Sequence, residues 1–403
     1  MAVVATACSS GGGERATREP IPTGPAPAVS KQKPEPSGRF WLSADDILRM
    51  RQYAVNTRWG RIAWLKTVSL ARDAMHASPR PASPAGPYTG EPDRDCKTTH
   101  DGWYCGLYIP GLRDGRYAYS LALAYAITGK ERFAAKAREY LLAWARTYNP
   151  PPPTSEVGHA VAEPVGFMLK AFFAYDLIRD TFSPDENRTF RDWAAQFVER
   201  GEREADHAMD DPWIPQAPWG NSATWARSLA VAAAAVVGGD TLREALDWNW
   251  EHTTEGGHDY GWIELLRGVM QPSGRMIEED VRSSVDYALY TWHPLALIAA
   301  IADVTGYEHD LWTAEAPSGQ TLRRPIEYYA PYLTKQENDP YEYDQDHLDT
   351  LLGEYRAAME TAGRRFPDWA LLREIVHYGG DAQRGLNEDV HITGWNALAG
   401  AVP

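Results

Sequence analysis

Basic residues are in short supply in this chain: 40 Lys and Arg stand against 55 Asp and Glu, a net charge of −15. That balance argues against a nucleic-acid partner, whose phosphates need a basic face. It leaves an acidic ligand open, because a local cluster of arginines can oppose the global sign. Cysteine is scarcer, with three in 403 residues. Cys96 and Cys105 bracket only His100, which is a poor zinc site. Beyond its first residues, nothing in the sequence resembles a transmembrane span, the apolar stretch 228–237 being too short. Strand-like alternation is nearly absent, as are G-x-S-x-G, the P-loop, the dinucleotide fingerprint and H-E-x-x-H. No acid pair for glycoside hydrolysis stands out either.

What is present begins with aromatics. The 16 Trp and 21 Tyr suit faces that stack on sugar rings, although most aromatics in any protein are core. Apolar residues make up 44% of the chain, enough for a sizeable core. At the start, V-V-A-T-A-C-S-S-G-G-G places Cys8 between small residues and a flexible tether, as at the end of a lipoprotein signal. The expectation is an exported protein attached to a membrane through lipidated Cys8, in the periplasm or at the cell surface. In that compartment Cys96 and Cys105 form a disulfide across a short loop. Residues 1–38 read as signal remnant and disordered tether, and 39–403 as one domain.

Along the domain, Ser43 is an N-cap for a first helix. An apolar helix, a Gly or Pro stop and an amphipathic helix then recur. Leu121–Ile127 is followed by Glu131–Trp144, Phe172–Ile178 by Glu186–Phe197, Leu229–Val237 by Thr241–Trp250, and Leu295–Val304 by a helix from near Glu308. The stretch 314–345, rich in Pro and Tyr, reads as loop, and 346–377 as one or two more helices. The pattern predicts an all-α toroid or incomplete barrel of helix hairpins, apolar helices inside and charged ones outside.

Three stretches carry candidate chemistry. Ahead of one inner helix, Trp219 and Trp225 offer sugar platforms, and Asn221 either caps the helix or faces a ligand carboxylate. In 251–262, His252 and His258 lie among glycines and acids in a spacing that matches no zinc signature, so His258 is read as charge-neutralising, with Tyr260 beside it. The third is 278–298, preceded by Arg267 and Arg275. Here Arg282 and Tyr287 converge on one cleft if a helix begins between them, and Tyr287 and Tyr290 share a helix face. A fixed cation beside a phenol can remove a proton next to a carboxylate. A surface ion network of Glu279, Arg282 and Asp286 is the plainer alternative.

At these residues the chain resembles the alginate lyase superfamily of α/α-toroid polysaccharide lyases, over roughly 100–312. The resemblance rests on Ala122–Gly129 with Ala134–Ala137 and Trp144, on Glu163-Pro164 with Ala174–Ile178, on Gly220–Trp225, and on Tyr287 seven residues before Pro294-Leu295. It implies β-elimination of a 4-O-linked polyuronate, alginate or glucuronan, without metal or organic cofactor. Tyr287 would be base and acid, with Asn221, His258 and Arg282 neutralising the C6 carboxylate. Trp219, Trp225, Tyr290, Arg275 and Tyr260 would bind substrate, and Tyr290 is a second candidate base. One departure stands out: Ser222 occupies the position where better-known members carry histidine. A glycoside hydrolase on the same toroid and a non-catalytic surface glycan binder are the alternatives.

Overall fold

The computed structural model describes residues 38–82, 107–150, 164–209, 220–253, 259–337, 341, 345–389 and 395–396. Helix α1 (Ala44–Asn56) starts where the sequence places it. Ser43 Oγ accepts the Asp46 N–H at 3.1 Å and the Asp46 carboxylate accepts the Ser43 N–H at 2.9 Å, a reciprocal cap. Helix α2 spans Arg58–His76. The hairpins follow: α3 (Ile109–Thr128) with α4 (Glu131–Thr147), α5 (Leu169–Ile178) with α6 (Pro184–Met209), and α7 (Asn221–Val237) with α8 (Asp240–Glu251). A π-helical turn, Pro164–Met168, leads into α5. Two short helices, α9 (Trp262–Val269) and α10 (Ile277–Arg282), precede α11 (Val285–Thr305). The remainder is α12 (Arg323–Leu333), α13 (Gln345–Arg365), α14 (Ala370–Val376), α15 (Gly380–Leu386), and a two-residue ladder of β1 (Glu388–Asp389) on β2 (Trp395–Asn396).

Helices α5, α7 and α11 are apolar around most of their circumference, and α4, α6 and α8 along one stripe. The inner helices pack in sequence, α3 on α5, α5 on α7, α7 on α11 and α11 on α13, while α15 packs on α2 and α2 on α3. The result is an α/α toroid. Backbones approach closely where glycine allows it: a Cβ on Gly201 of α6 would lie 2.7 Å from the Ala226 carbonyl of α7. The short links at Gly129, Ser183 and Gly238-Gly239 reverse the chain after each inner helix. The N-termini of α5, α7 and α11 therefore share the opposite end. That end holds the candidate chemistry.

Two arginines, Arg384 buried and Arg364 half-buried, join the C-terminal helices to the beginning of the domain. Arg384 of α15 donates to both oxygens of Glu360 at 2.8 and 2.9 Å and stands 3.9 Å from the Trp59 ring centroid. Arg364 of α13 donates to the Trp41 carbonyl at 2.7 Å and lies 3.6 Å from Asp46.

Two sequence expectations are corrected. No helix starts near Glu308: after Gly306 (φ 72°) the Asp310 carboxylate collects the Trp312 and Thr313 N–H groups, and turns continue to Leu322. Conversely, the expected loop 314–345 contains α12. Its Pro and Tyr content hides a helical period, Ile326, Tyr329, Ala330 and Leu333, which it buries. Pro325 lies in the first turn, where its missing N–H has no helical partner to lose.

Candidate active site

The site is built around a break between two helices. Helix α10 ends at Arg282, and Ser283 turns left-handed (φ 53°) with its N–H on the Glu279 carbonyl at 2.8 Å. Ser284 then caps α11, its Oγ accepting the Tyr287 N–H at 3.3 Å. The helix thus begins between Arg282 and Tyr287, and the two side chains meet: the guanidinium carbon lies 5.2 Å from the Tyr287 ring centroid.

From Arg282 the contacts run to α7. Its Nε donates to Glu278 Oε1 at 3.3 Å, and Asn221 Nδ2 donates to the same oxygen at 2.8 Å. The capping alternative for Asn221 is overturned: Gly220 is the N-cap, and Asn221, in the first helical position, turns its amide toward Glu278. Glu278 is 2% exposed. Burial pushes its carboxyl up, opposed by the Arg282 guanidinium and by hydrogen bonds from Asn221.

One turn along α11, the Tyr290 ring lies 6.4 Å from that of Tyr287, edge to face, and 5.1 Å from Trp225. Trp225 is fully buried, so it cannot serve as the sugar platform the sequence suggested; it backs Tyr290 instead. Beneath it His293 packs edge-on at 5.7 Å. Burial and the nearby Lys170 ammonium push His293 down to about 3, which keeps it neutral. From α13, the Tyr355 hydroxyl donates to the Asp286 carboxylate and carbonyl, tying the first turn of α11 to the next inner helix. Tyr287, Tyr290 and Arg282 are half-buried and form the accessible side of the cluster.

Other sequence candidates lie around it. Arg275 is paired with Glu279 (3.3 Å) and Asp280 (2.7 Å) and donates to Tyr341. Glu279 also accepts from Tyr329 at 2.6 Å and Tyr341 at 3.0 Å. Neighbouring carboxylates of α10 thus bind opposite sides, Glu278 toward α7 and Glu279 toward α12. Tyr260 donates its N–H to the His252 carbonyl at 2.7 Å, and its own carbonyl accepts from Arg227 at 2.9 Å. His252 pairs with Asp206 at 2.8 Å. His258, Trp219, Cys8, Cys96 and Cys105 lie outside the described residues. Among the described residues no group of three or more His, Cys, Asp or Glu is placed to hold a metal ion.

Sequence reasoning missed the roles of Glu278, His293 and Tyr355. Glu278 had a signal, four residues before Arg282 on one helix face. His293 and Tyr355 had none, because their partners come from other helices. Chemically, the cluster sets hydrogen-bond donors able to receive a carboxylate beside two phenols able to move a proton.

The alginate lyase family model matches residues 111–339, more than half of the chain. No curated protein sequence matches. Among solved structures, an alginate lyase from Bacteroides ovatus superposes with a TM-score of 0.61 at 16% identity, over 84% of this chain and 95% of that one. Alginate lyase A1-III from Sphingomonas species A1 gives 0.55 at 15% identity, over 92% and 97%. A histidine-to-alanine variant of alginate lyase A1-III complexed with tetrasaccharide gives 0.51 at 16%, over 84% and 90%. At these identities the structural likeness establishes the toroid. The family match adds more, since it contains Asn221, Glu278, Arg282, Tyr287, Tyr290 and His293. This chain therefore belongs to the alginate lyase family and is a polysaccharide lyase.

Proposed function

We propose that this lyase cleaves a 4-O-linked polyuronate, alginate (polymannuronate) or glucuronan, by β-elimination with Tyr287 moving the proton. The observation that carries the reading is the placement of Arg282 against the Tyr287 ring while Arg282 and Asn221 share one carboxylate oxygen. A uronate's C5 proton is weakly acidic, and removing it places negative charge on the C6 carboxylate. Donors fixed beforehand at that carboxylate stabilise the charge where it develops. Arg282 spends only its Nε on Glu278, and among the described residues its two Nη groups have no hydrogen-bond partner. They and the Asn221 amide receive the carboxylate in this reading, with His258 as the third neutralising group.

A phenol has a reference pKa near 10, so it acts as a base only where a cation favours its phenolate. Arg282 supplies that cation. Tyr287 takes the C5 proton, the C4–O bond breaks, a C4=C5 double bond forms, and the leaving oxygen receives the proton back. Tyr290 lines the same face. A hydrolase would need two carboxylates facing each other across the cleft. Of the carboxylates here, Glu278 is buried beneath Asn221 and Arg282, and Asp286 is held by the Tyr355 hydroxyl.

The test is incubation with alginate, polymannuronate, glucuronan and hyaluronan, following the ultraviolet absorbance of the unsaturated product. Absorbance should rise on at least one uronate polymer. New reducing ends without the chromophore, or binding without turnover, would overturn the eliminase reading.

A further inference from the structure

We infer that Glu278 is a positioning residue, a buried carboxylate that sets Asn221 and Arg282 at the angle needed to receive the substrate's own carboxylate. This rests on the eliminase reading above and assigns a role to a residue whose only sequence signal is its spacing from Arg282.

The geometry is specific. One oxygen, Oε1, accepts from Asn221 Nδ2 at 2.8 Å and from Arg282 Nε at 3.3 Å, so donors from α7 and from the end of α10 are tied to a single point. Among the described residues neither donor's side chain has another hydrogen-bond partner. Glu278 also takes a backbone hydrogen bond from Asn221, and Arg282's further contact is with the Tyr287 ring face. Binding Nε to Glu278 fixes the plane of the guanidinium and leaves its Nη edge for a second carboxylate, the fork geometry in which arginine holds carboxylates best.

The energetics point the same way. Burying a carboxylate costs several kcal/mol, and an apolar contact could join two helices without that cost. The carboxylate gives what an apolar group cannot, a directional hold on two polar donors. Glu279 completes the support from behind, anchoring α10 to Tyr329, Tyr341 and Arg275. Helix α10 is thus held on both sides, and its Arg282, with Asn221 of α7, is fixed before substrate arrives. Such advance orientation is what makes charge stabilisation effective.

The experiment compares Glu278→Gln and Glu278→Ala with wild type for kcat, KM and thermal melting, on whichever polyuronate the wild type cleaves. Gln keeps an acceptor for Asn221 and loses the charge that holds Arg282; Ala loses both. The expected result is a fall in kcat/KM of about 10–100-fold for Gln, below the ~10²–10³-fold of deleting a stabilising donor itself. Ala should fall further, and Gln should melt within a few degrees of wild type. A double-mutant cycle with Asn221→Ala separates positioning from general structure. Combined losses well below the product of the single losses support positioning. Losses that multiply, or a Gln variant within about twofold of wild type in both kcat and KM, overturn it. If wild type yields no unsaturated product, the eliminase reading fails, and calorimetric binding of an oligouronate then tests Glu278. A Gln variant binding several-fold more weakly than wild type supports the hold on a carboxylate; equal binding, or no binding by wild type, overturns it.

Discussion

Tyr287 and Tyr290 differ in what stands behind each ring. Tyr287 carries the Arg282 guanidinium over its face, whereas Tyr290 leans on the buried Trp225 wall. Tyr287→Phe removes one oxygen and keeps the ring, so stability should change by about 1 kcal/mol or less, the worth of one hydrogen bond. Turnover should fall by at least the ~10²–10⁴-fold attributed to a positioned acid–base group. Tyr290→Phe should lose under about tenfold, mostly in KM. Steady-state kinetics on both variants check this, and a collapse confined to Tyr290→Phe would move the proton transfer to that phenol. At this scale the sequence was informative where polar residues interrupt an apolar stretch, which is why Asn221, Arg282 and Tyr287 were legible. It misled on Trp225, because a tryptophan facing a cleft and one facing the core carry the same letter.

The elements that bring Arg282 and Tyr287 together are a helix end, one left-handed residue and a helix start. Ser283 pays the left-handed conformation without glycine's freedom, and Ser284 closes the turn by accepting the Tyr287 N–H. Ser284→Ala should cost about 1 kcal/mol, the usual loss for an N-cap. Because the N–H released is Tyr287's own, kcat should fall as well, by a larger factor than the same mutation gives at Ser43, a cap on α1. Denaturation and kinetics on the two alanine variants measure the contrast; equal kinetic effects would remove any link between the cap and the site. Helices of this kind were largely readable in the sequence, since glycine stops and apolar runs mark inner helices such as α7 and α11. A helix start between Arg282 and Tyr287 was legible as one option, but the left-handed turn at Ser283 was not readable, because no glycine announces it. Neither was α12, whose buried period is carried by tyrosine and interrupted by proline.

Across the whole toroid, the centre is not uniformly apolar: Lys170 on α5 and His293 on α11 are both fully buried, and the cation helps keep the imidazole neutral. That has a consequence for acid stability. His293 in the folded protein is pushed down to about 3 from an ordinary 6.5. Between those values the unfolded chain binds a proton that the folded chain refuses, so stability rises with pH across that window and is lost as pH falls through it. At about 1.4 kcal/mol per pH unit for one proton, the loss from His293 is on the order of 4 kcal/mol by the bottom of the window. Asp176, Asp114 and Glu278 act in the opposite sense, because burial raises their carboxyls and their folded forms hold protons longer. The wild-type profile therefore mixes signs, and comparison with His293→Gln isolates the histidine. Chemical denaturation at several pH values from 7.5 to 4 should show the variant less stable at neutral pH, from lost packing. Its stability should nevertheless depend less steeply on pH, by about one proton between pH 6 and 4. Parallel profiles for the two proteins would mean that His293 takes up its proton in the folded toroid, and that the neutral imidazole beneath Trp225 is not what the fold enforces.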